Sequence, residues 1–151
     1  MKILILILSF LSFAYSEQYT FLVNKYDKEV ELEAKIISNI ANASIQDEIK
    51  LFIPKITDSE KRIYSKFFTL SNTCEDSNFI FIKRPIDIDI LCQSQDKIFF
   101  TNNYQRLLDK KKFFGAFFWS KSRPNIVFIK DRLEENNINL PNSYSQFIEE
   151  F

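Results

Sequence analysis

The chain has 151 residues, of which 20 are basic and 20 acidic, with no histidine and a single glycine, Gly115. Those counts exclude histidine-based acid–base and nucleophilic chemistry, the commonest zinc and copper ligand sets, and any glycine-rich phosphate loop or dinucleotide fingerprint. The balanced charge gives no support for a nucleic-acid partner, and 46% hydrophobic residues are too many for a disordered chain.

Met1-Lys2, the apolar run Ile3 to Phe13 and the small residues of Ala14-Tyr15-Ser16 have the order of a secretory signal peptide. The run is too short to span a bilayer, which takes about twenty residues. The expectation is a cleaved leader over residues 1–16 and one exported domain over residues 17–151, periplasmic in location and without a membrane span after cleavage. Cleavage leaves 19 basic against 20 acidic residues. Cys74 and Cys92 are the only cysteines, and an exported chain with two favours a disulfide between them. Their spacing matches neither a redox Cys-x-x-Cys nor a zinc knuckle.

Beyond Tyr19 to Val23, an apolar run read as extended or as a lead-in, Asp27 reads as the N-cap of a helix. Val30, Ala34, Ile37 and Ala41 give that helix a buried stripe, widened by Leu32, Ile36 and Ile40. Ile49 to Ile53 reads as a strand before Pro54. Thr57-Asp-Ser-Glu60 is a capping box, and it opens a helix carrying Ile63, Tyr64, Phe67 and Phe68. Phe79 to Ile82 is a second strand. Ile86 to Leu91 is ambiguous between strand and short helix. Lys97 to Phe100 is a third strand, and Asn102 or Asn103 caps a short helix with Tyr104, Leu107 and Leu108.

Two apolar runs follow, Phe113 to Trp119 and Asn125 to Ile129, joined by the polar turn Ser120 to Pro124. They predict a β-hairpin. Strict alternation puts Phe113, Gly115, Phe117 and Trp119 on one face, with Phe114, Ala116 and Phe118 on the other. Neither arm offers water a polar face, so both sides need cover. Asp131 to Asn136 is one or two helical turns, and Asn142 or Ser143 caps a last helix with Tyr144, Phe147 and Ile148. The sum is an α/β layered sandwich: a mainly parallel sheet, an antiparallel hairpin near the C-terminus and flanking helices.

Lys110, Lys111, Lys112, Lys121, Arg123, Lys130 and Arg132 gather positive charge around the hairpin. Such charge serves either an anionic partner or protection of a strand edge. Asp87, Asp89 and Asp96 lack the glycine-containing loop of a calcium site. Ser65, Ser71, Ser120 and Ser122 would need a lysine base, and the last two lie in a turn where nothing desolvates them. No catalytic, cofactor-binding or metal residue is assigned, and an enzyme is not expected. Trp119, the only tryptophan, is either a cover for the sheet end or an interface anchor. With Lys121 and Arg123 it makes the candidate partner-binding tip.

The order of motifs resembles the YfiR-like family of periplasmic regulators. The resemblance is carried by Cys74 with Phe79-Ile-Phe-Ile82, by Lys97-Ile-Phe-Phe-Thr-Asn102 and by Phe114-Gly-Ala-Phe-Phe118. It continues through Arg123-Pro-Asn-Ile-Val-Phe-Ile129 and Asn137-Ile-Asn-Leu140 before a closing helix. Ala34 to Ile53 matches the family's early helix and strand. The chain departs where a glycine pair is reduced to Gly115, where a second cysteine pair is absent, and where Lys130-Asp131 replaces an asparagine. The resemblance implies a non-enzymatic exported protein without cofactor. Its partner would be the periplasmic domain of an inner-membrane sensor or signalling protein, commonly a diguanylate cyclase. The alternative is a small-ligand-binding periplasmic module with its pocket at the strand ends. A homodimer is compatible with either.

Overall fold

The computed structural model describes residues 2–93 and 96–150, with side chains from Leu22 onward except Asn24. It is a mixed α/β fold built on a seven-stranded sheet. Helix α1 (Lys2–Ser44) is followed by β1 (Lys50–Phe52), α2 (Asp58–Tyr64), β2 (Thr69–Leu70), β3 (Phe79–Ile82) and α3 (Ile88–Leu91). Then come β4 (Ile98–Thr101), α4 (Tyr104–Asp109), β5 (Phe113–Ser120), β6 (Arg123–Ile129) and α5 (Lys130–Glu135). A 3-10 turn, Asn142–Phe147, leads into β7 (Ile148–Glu149). The strand order is β2-β1-β3-β4-β5-β6-β7, and every neighbouring pair is parallel except the β5–β6 hairpin.

The mainly parallel sheet is covered on both faces, which is why its central strands are apolar throughout. All four residues of β3 are buried. Leu51, Phe79, Phe81, Phe100, Phe117 and Phe128 face α1 and α2, with Leu133, Ile138 and Tyr144 of the C-terminal segment on the same side. Phe52, Ile80, Ile82, Phe99, Ala116 and Val127 face the other way, under Ile88 of α3, Leu107 of α4 and the cysteines. The disulfide between Cys74 and Cys92 is formed, with Cα atoms 5.7 Å apart. It ties the loop before β3 to the end of α3.

Four sequence expectations change. Asp27 is no cap: α1 runs through it, and its carboxylate accepts from the Ser59 hydroxyl at 3.3 Å. No glycine or proline lies between Glu17 and Ser44, so nothing stops the helix there, and the extended option for Tyr19–Val23 falls with the cap. The leader reading of residues 1–16 rests on side chains outside the described residues. The closing helix is a 3-10 turn, and Ile148 belongs to a strand. The hairpin turn has only two residues, Lys121 and Ser122, both at positive φ (49° and 62°), as a type I′ turn requires. Pro124 sits in β6 opposite Trp119, beyond the reach of β7, so its missing N–H leaves no ladder bond unmade.

The fourth change concerns the faces of β5. Phe99 pairs with Phe113, but Phe100 pairs with Gly115, so Phe114 is the extra residue of a β-bulge. Phe113 thereby joins Ala116 on the α4 side, while Phe114 joins Phe117 on the α1 side. Phe114 stacks on Phe128 with ring centroids 5.9 Å apart and meets Phe100 at 5.2 Å. These rings converge over Gly115. A Cβ there would lie 2.7 Å from Phe100 Cε2, 2.7 Å from the Val127 carbonyl oxygen and 2.8 Å from Phe128 Cδ1. Gly115→Ala should therefore destabilise the fold by about 2–4 kcal/mol through overpacking, since one of the three neighbours is backbone. Urea unfolding checks this, and a loss under about 0.5 kcal/mol would contradict the close approach. Replacing Cys74 and Cys92 together by alanine should cost about 3 kcal/mol, measured the same way against the oxidised wild type.

Candidate functional site

The four central parallel strands β1, β3, β4 and β5 point their carboxyl ends the same way, the end at which open α/β sheets bind ligands. The residues leaving those ends are Lys83 and Arg84 after β3, Asn102 after β4 and Trp119 near the tip of β5. Opposite them, α1 contributes Tyr26, Glu29, Val30 and Glu33, and α2 contributes Glu60. Together they line a pocket of about 280 Å³.

Its floor is a buried ion cluster. Lys83 Nζ lies 2.8 Å from Glu60 Oε1 and also pairs with Glu33. Arg84 Nη2 donates to Glu60 Oε2 at 2.7 Å. The Tyr64 hydroxyl donates to Glu33 at 2.6 Å, and the Tyr26 hydroxyl reaches Glu60 at 3.4 Å. Glu60 also closes the capping box of α2: the Thr57 backbone N–H donates to it at 2.9 Å, and its own N–H donates to Thr57 Oγ1 at 3.3 Å. One carboxylate thus holds a helix start, a strand exit and α1 together. The exposed part of the floor is small, because Glu60 is 1% exposed.

The charges match, and the proton affinities follow from that. Burial alone would raise the Glu60 carboxyl, but hydrogen bonds from Lys83, the Thr57 backbone and Arg84 pull it down to about 2. Burial, and then the neighbouring Glu33 carboxylate, push the Tyr64 phenol well above its ordinary value. Tyr64 therefore stays a donor. Neither group is poised to exchange a proton near neutral pH. One terminal nitrogen of Arg84, Nη1, is buried without a hydrogen-bond partner among the described residues.

Trp119 stands at the rim, 37% exposed, with its ring edge-on to Phe117 at 5.7 Å. Lys121 and Arg123 lie exposed beside it on the tip. The other basic residues do not join them. Lys112 donates to the Cys92 carbonyl at 2.9 Å and covers the Phe99 ring. Lys110 lies 3.7 Å from Asp89. Arg132 donates to the carbonyls of Leu107 and Phe113 at 2.7 and 2.8 Å, and Lys130 pairs with Glu150. These four hold the base of the hairpin, about 25 Å from its tip along the eight residues of β5. Asp87 caps α3 by accepting from the Asp89 N–H at 3.1 Å. Among the described residues no group of three His, Cys, Asp or Glu side chains could hold a metal ion, and no helix is long and apolar enough to cross a membrane.

Only the fold brings Glu33, Glu60, Lys83 and Arg84 together. Two signals were there to find: Glu33 lies within the apolar stripe of Val30 and Ile37, and two cations follow directly on the wholly apolar β3. Compared with family models, curated proteins and solved structures, the chain matches none.

The ion cluster predicts acid lability. Glu60 titrates at about 2 when folded against 4.5 when free, so between those values the unfolded chain binds more protons. Its contribution is fully present above about pH 4.5 and declines as pH falls toward 2, by on the order of 3 kcal/mol. Urea unfolding across that range measures it. Glu60→Gln should flatten this part of the profile and lower stability near pH 7 by about 3 kcal/mol, because Lys83 then keeps only Glu33 and Arg84 loses its carboxylate partner. A profile as steep in the variant as in the wild type would assign the acid lability elsewhere.

Proposed function

We propose that the chain is a non-catalytic, exported binding protein whose contact surface is the hairpin tip. Trp119, Lys121 and Arg123 form that surface, and the partner is the periplasmic domain of an inner-membrane signalling protein such as a diguanylate cyclase. The observation that carries this is the exposure of the only tryptophan, near the end of β5, close to a two-residue turn with two cations that have no ion pair among the described residues. Tryptophan and arginine are the residues most enriched where binding energy concentrates. The two-residue turn is pre-organised, so little ordering entropy opposes association. On α1, Leu22, Val23 and Tyr26 are exposed as well, and they extend the apolar surface past the pocket rim.

The carboxylates support a non-enzymatic role, since both Glu33 and Glu60 are committed to buried cations. The disulfide fits an oxidising compartment, and the leader-like residues 1–16 fit export. The order of motifs shared with YfiR-like regulators supplies the class of partner. A second reading, a small-ligand module, is favoured by one observation: the pocket at the strand ends has aromatic and charged walls.

Crosslinking from membranes of the producing cell tests the first reading. The wild-type chain should capture an inner-membrane protein with a periplasmic domain. Trp119→Ala should weaken capture by about thirtyfold or more, the effect of a central anchor. Lys121→Glu with Arg123→Glu should slow association and make it less sensitive to salt. Lys121 and Arg123 are exposed, so the double variant's melting temperature should move by no more than about 2 °C, whereas Trp119→Ala should cost about 0.5–1.5 kcal/mol through its lost contact with Phe117. Equal capture by wild type and Trp119→Ala would refute the tip as the contact.

A further inference from the structure

We propose that the pocket at the carboxyl ends of β3, β4 and β5 is a binding site for a neutral saccharide, one pyranose ring in size. This names the ligand class for the ligand-binding reading above and rests on it; the partner-binding reading does not depend on it. A volume of about 280 Å³ admits one six-membered sugar ring and little more. The walls combine two amphipathic aromatic faces, Trp119 and Tyr26, with hydrogen-bonding groups of both kinds: Arg84 donates, Glu29 accepts, and Asn102 does both. A ring that is apolar on its faces and hydroxylated around its edge meets both sets of groups at once.

Charge selects against the alternatives. The lining holds three carboxylates, Glu29, Glu33 and Glu60, against two cations, Lys83 and Arg84. Glu33 and Glu60 are already paired with Lys83 and Arg84. Glu29 lies 3.9 Å from Lys25, so every charge of the lining already has a partner. An added ion of either sign would enter unbalanced. Neutral hydroxyls can accept from the Arg84 and Asn102 donors and donate to Glu29 without bringing charge. Trp119 is exposed, so stacking on it costs no rearrangement of the core.

The test is isothermal titration of the full chain with glucose, N-acetylglucosamine, glucuronate and glucosamine, and with acetate and glycine as non-sugar charged probes. At least one of the two neutral sugars should bind with a dissociation constant of about 0.1–10 mM, ordinary for one small ring in an open pocket. Glucuronate should bind at least about tenfold more weakly than glucose. Trp119→Ala should reduce sugar affinity about tenfold or more, as loss of a stacking face does. Arg84→Lys keeps the charge beside Glu60 but withdraws the guanidinium that lines the pocket, and should reduce affinity similarly with the fold retained. Lys121→Glu with Arg123→Glu should leave sugar binding within about threefold, which separates this site from the partner surface. Binding of only the charged probes would overturn the saccharide assignment and leave the ligand-binding reading standing. No binding by any probe would overturn both, and sugar binding unchanged in Trp119→Ala and Arg84→Lys would place the sugar elsewhere.

Discussion

Three phenylalanine rings converge over the one residue of this chain that lacks a side chain. Gly115 is paired with Phe100 on one side and Phe128 on the other, and Phe114 closes over both. The packing works only because β5 carries its extra residue at Phe114. Without that bulge, Phe114 rather than Gly115 would pair with Phe100. The alternation would then carry Ala116 and Phe118 to the α1 face and turn Phe117 and Trp119 to the other. The bulge therefore does more than fit an aromatic into the core: it decides which face of the molecule Trp119 overlooks. The side chain at the rim of the pocket is placed by a contact four residues back along the strand.

The same face carries the polar cluster, and the two features have opposite chemistry with a shared consequence. Buried charges contribute little net stability even when they are well paired, but they tolerate very few arrangements. Lys83 must leave β3 between Glu33 and Glu60, and Arg84 must reach Glu60 while that carboxylate also closes the α2 capping box. Each requirement fixes the strand exit relative to two helices. Aromatic packing sets the sheet, and the ion cluster sets the helices upon it. The pocket lies where the two meet, so its walls are held by groups that do not themselves need a ligand.

The layered α/β order, the cysteine pair, the capping box at Thr57–Glu60 and the two-sided hairpin were all legible in the sequence, because each depends on neighbours within a few residues or on a count. What escaped depends on long-range partners. The bulge could not be read, since strict alternation is the default and only pairing with Phe99 and Phe100 reveals the slip. The two-residue strands β2 and β7 exist because β1 and β6 offer edges, and nothing in Thr69–Leu70 or Ile148–Glu149 announces them. Glu33 and Lys83 are 50 residues apart, and Glu60 already had a sufficient local explanation as a capping residue. That Trp119, Lys121 and Arg123 lie together at the hairpin tip follows from their closeness in sequence, but their separation from the basic residues at the hairpin base does not.

Trp119 belongs to both proposed contacts, and that has a thermodynamic consequence. A partner seated on the tip and a ring stacked in the pocket would each touch the same indole, so neither affinity can be independent of the other. If the partner covers the pocket rim, the two exclude one another. If it leaves the inner face of the indole free, rigidifying the tip for one lowers the ordering cost of the other. Whichever sign holds, linkage makes the effect reciprocal: the factor by which ligand changes partner affinity equals the factor by which partner changes ligand affinity. The chain needs no catalytic group to act as a regulator on this scheme. One tryptophan, aimed by a bulge and backed by a buried ion cluster, would couple the two proposed binding events.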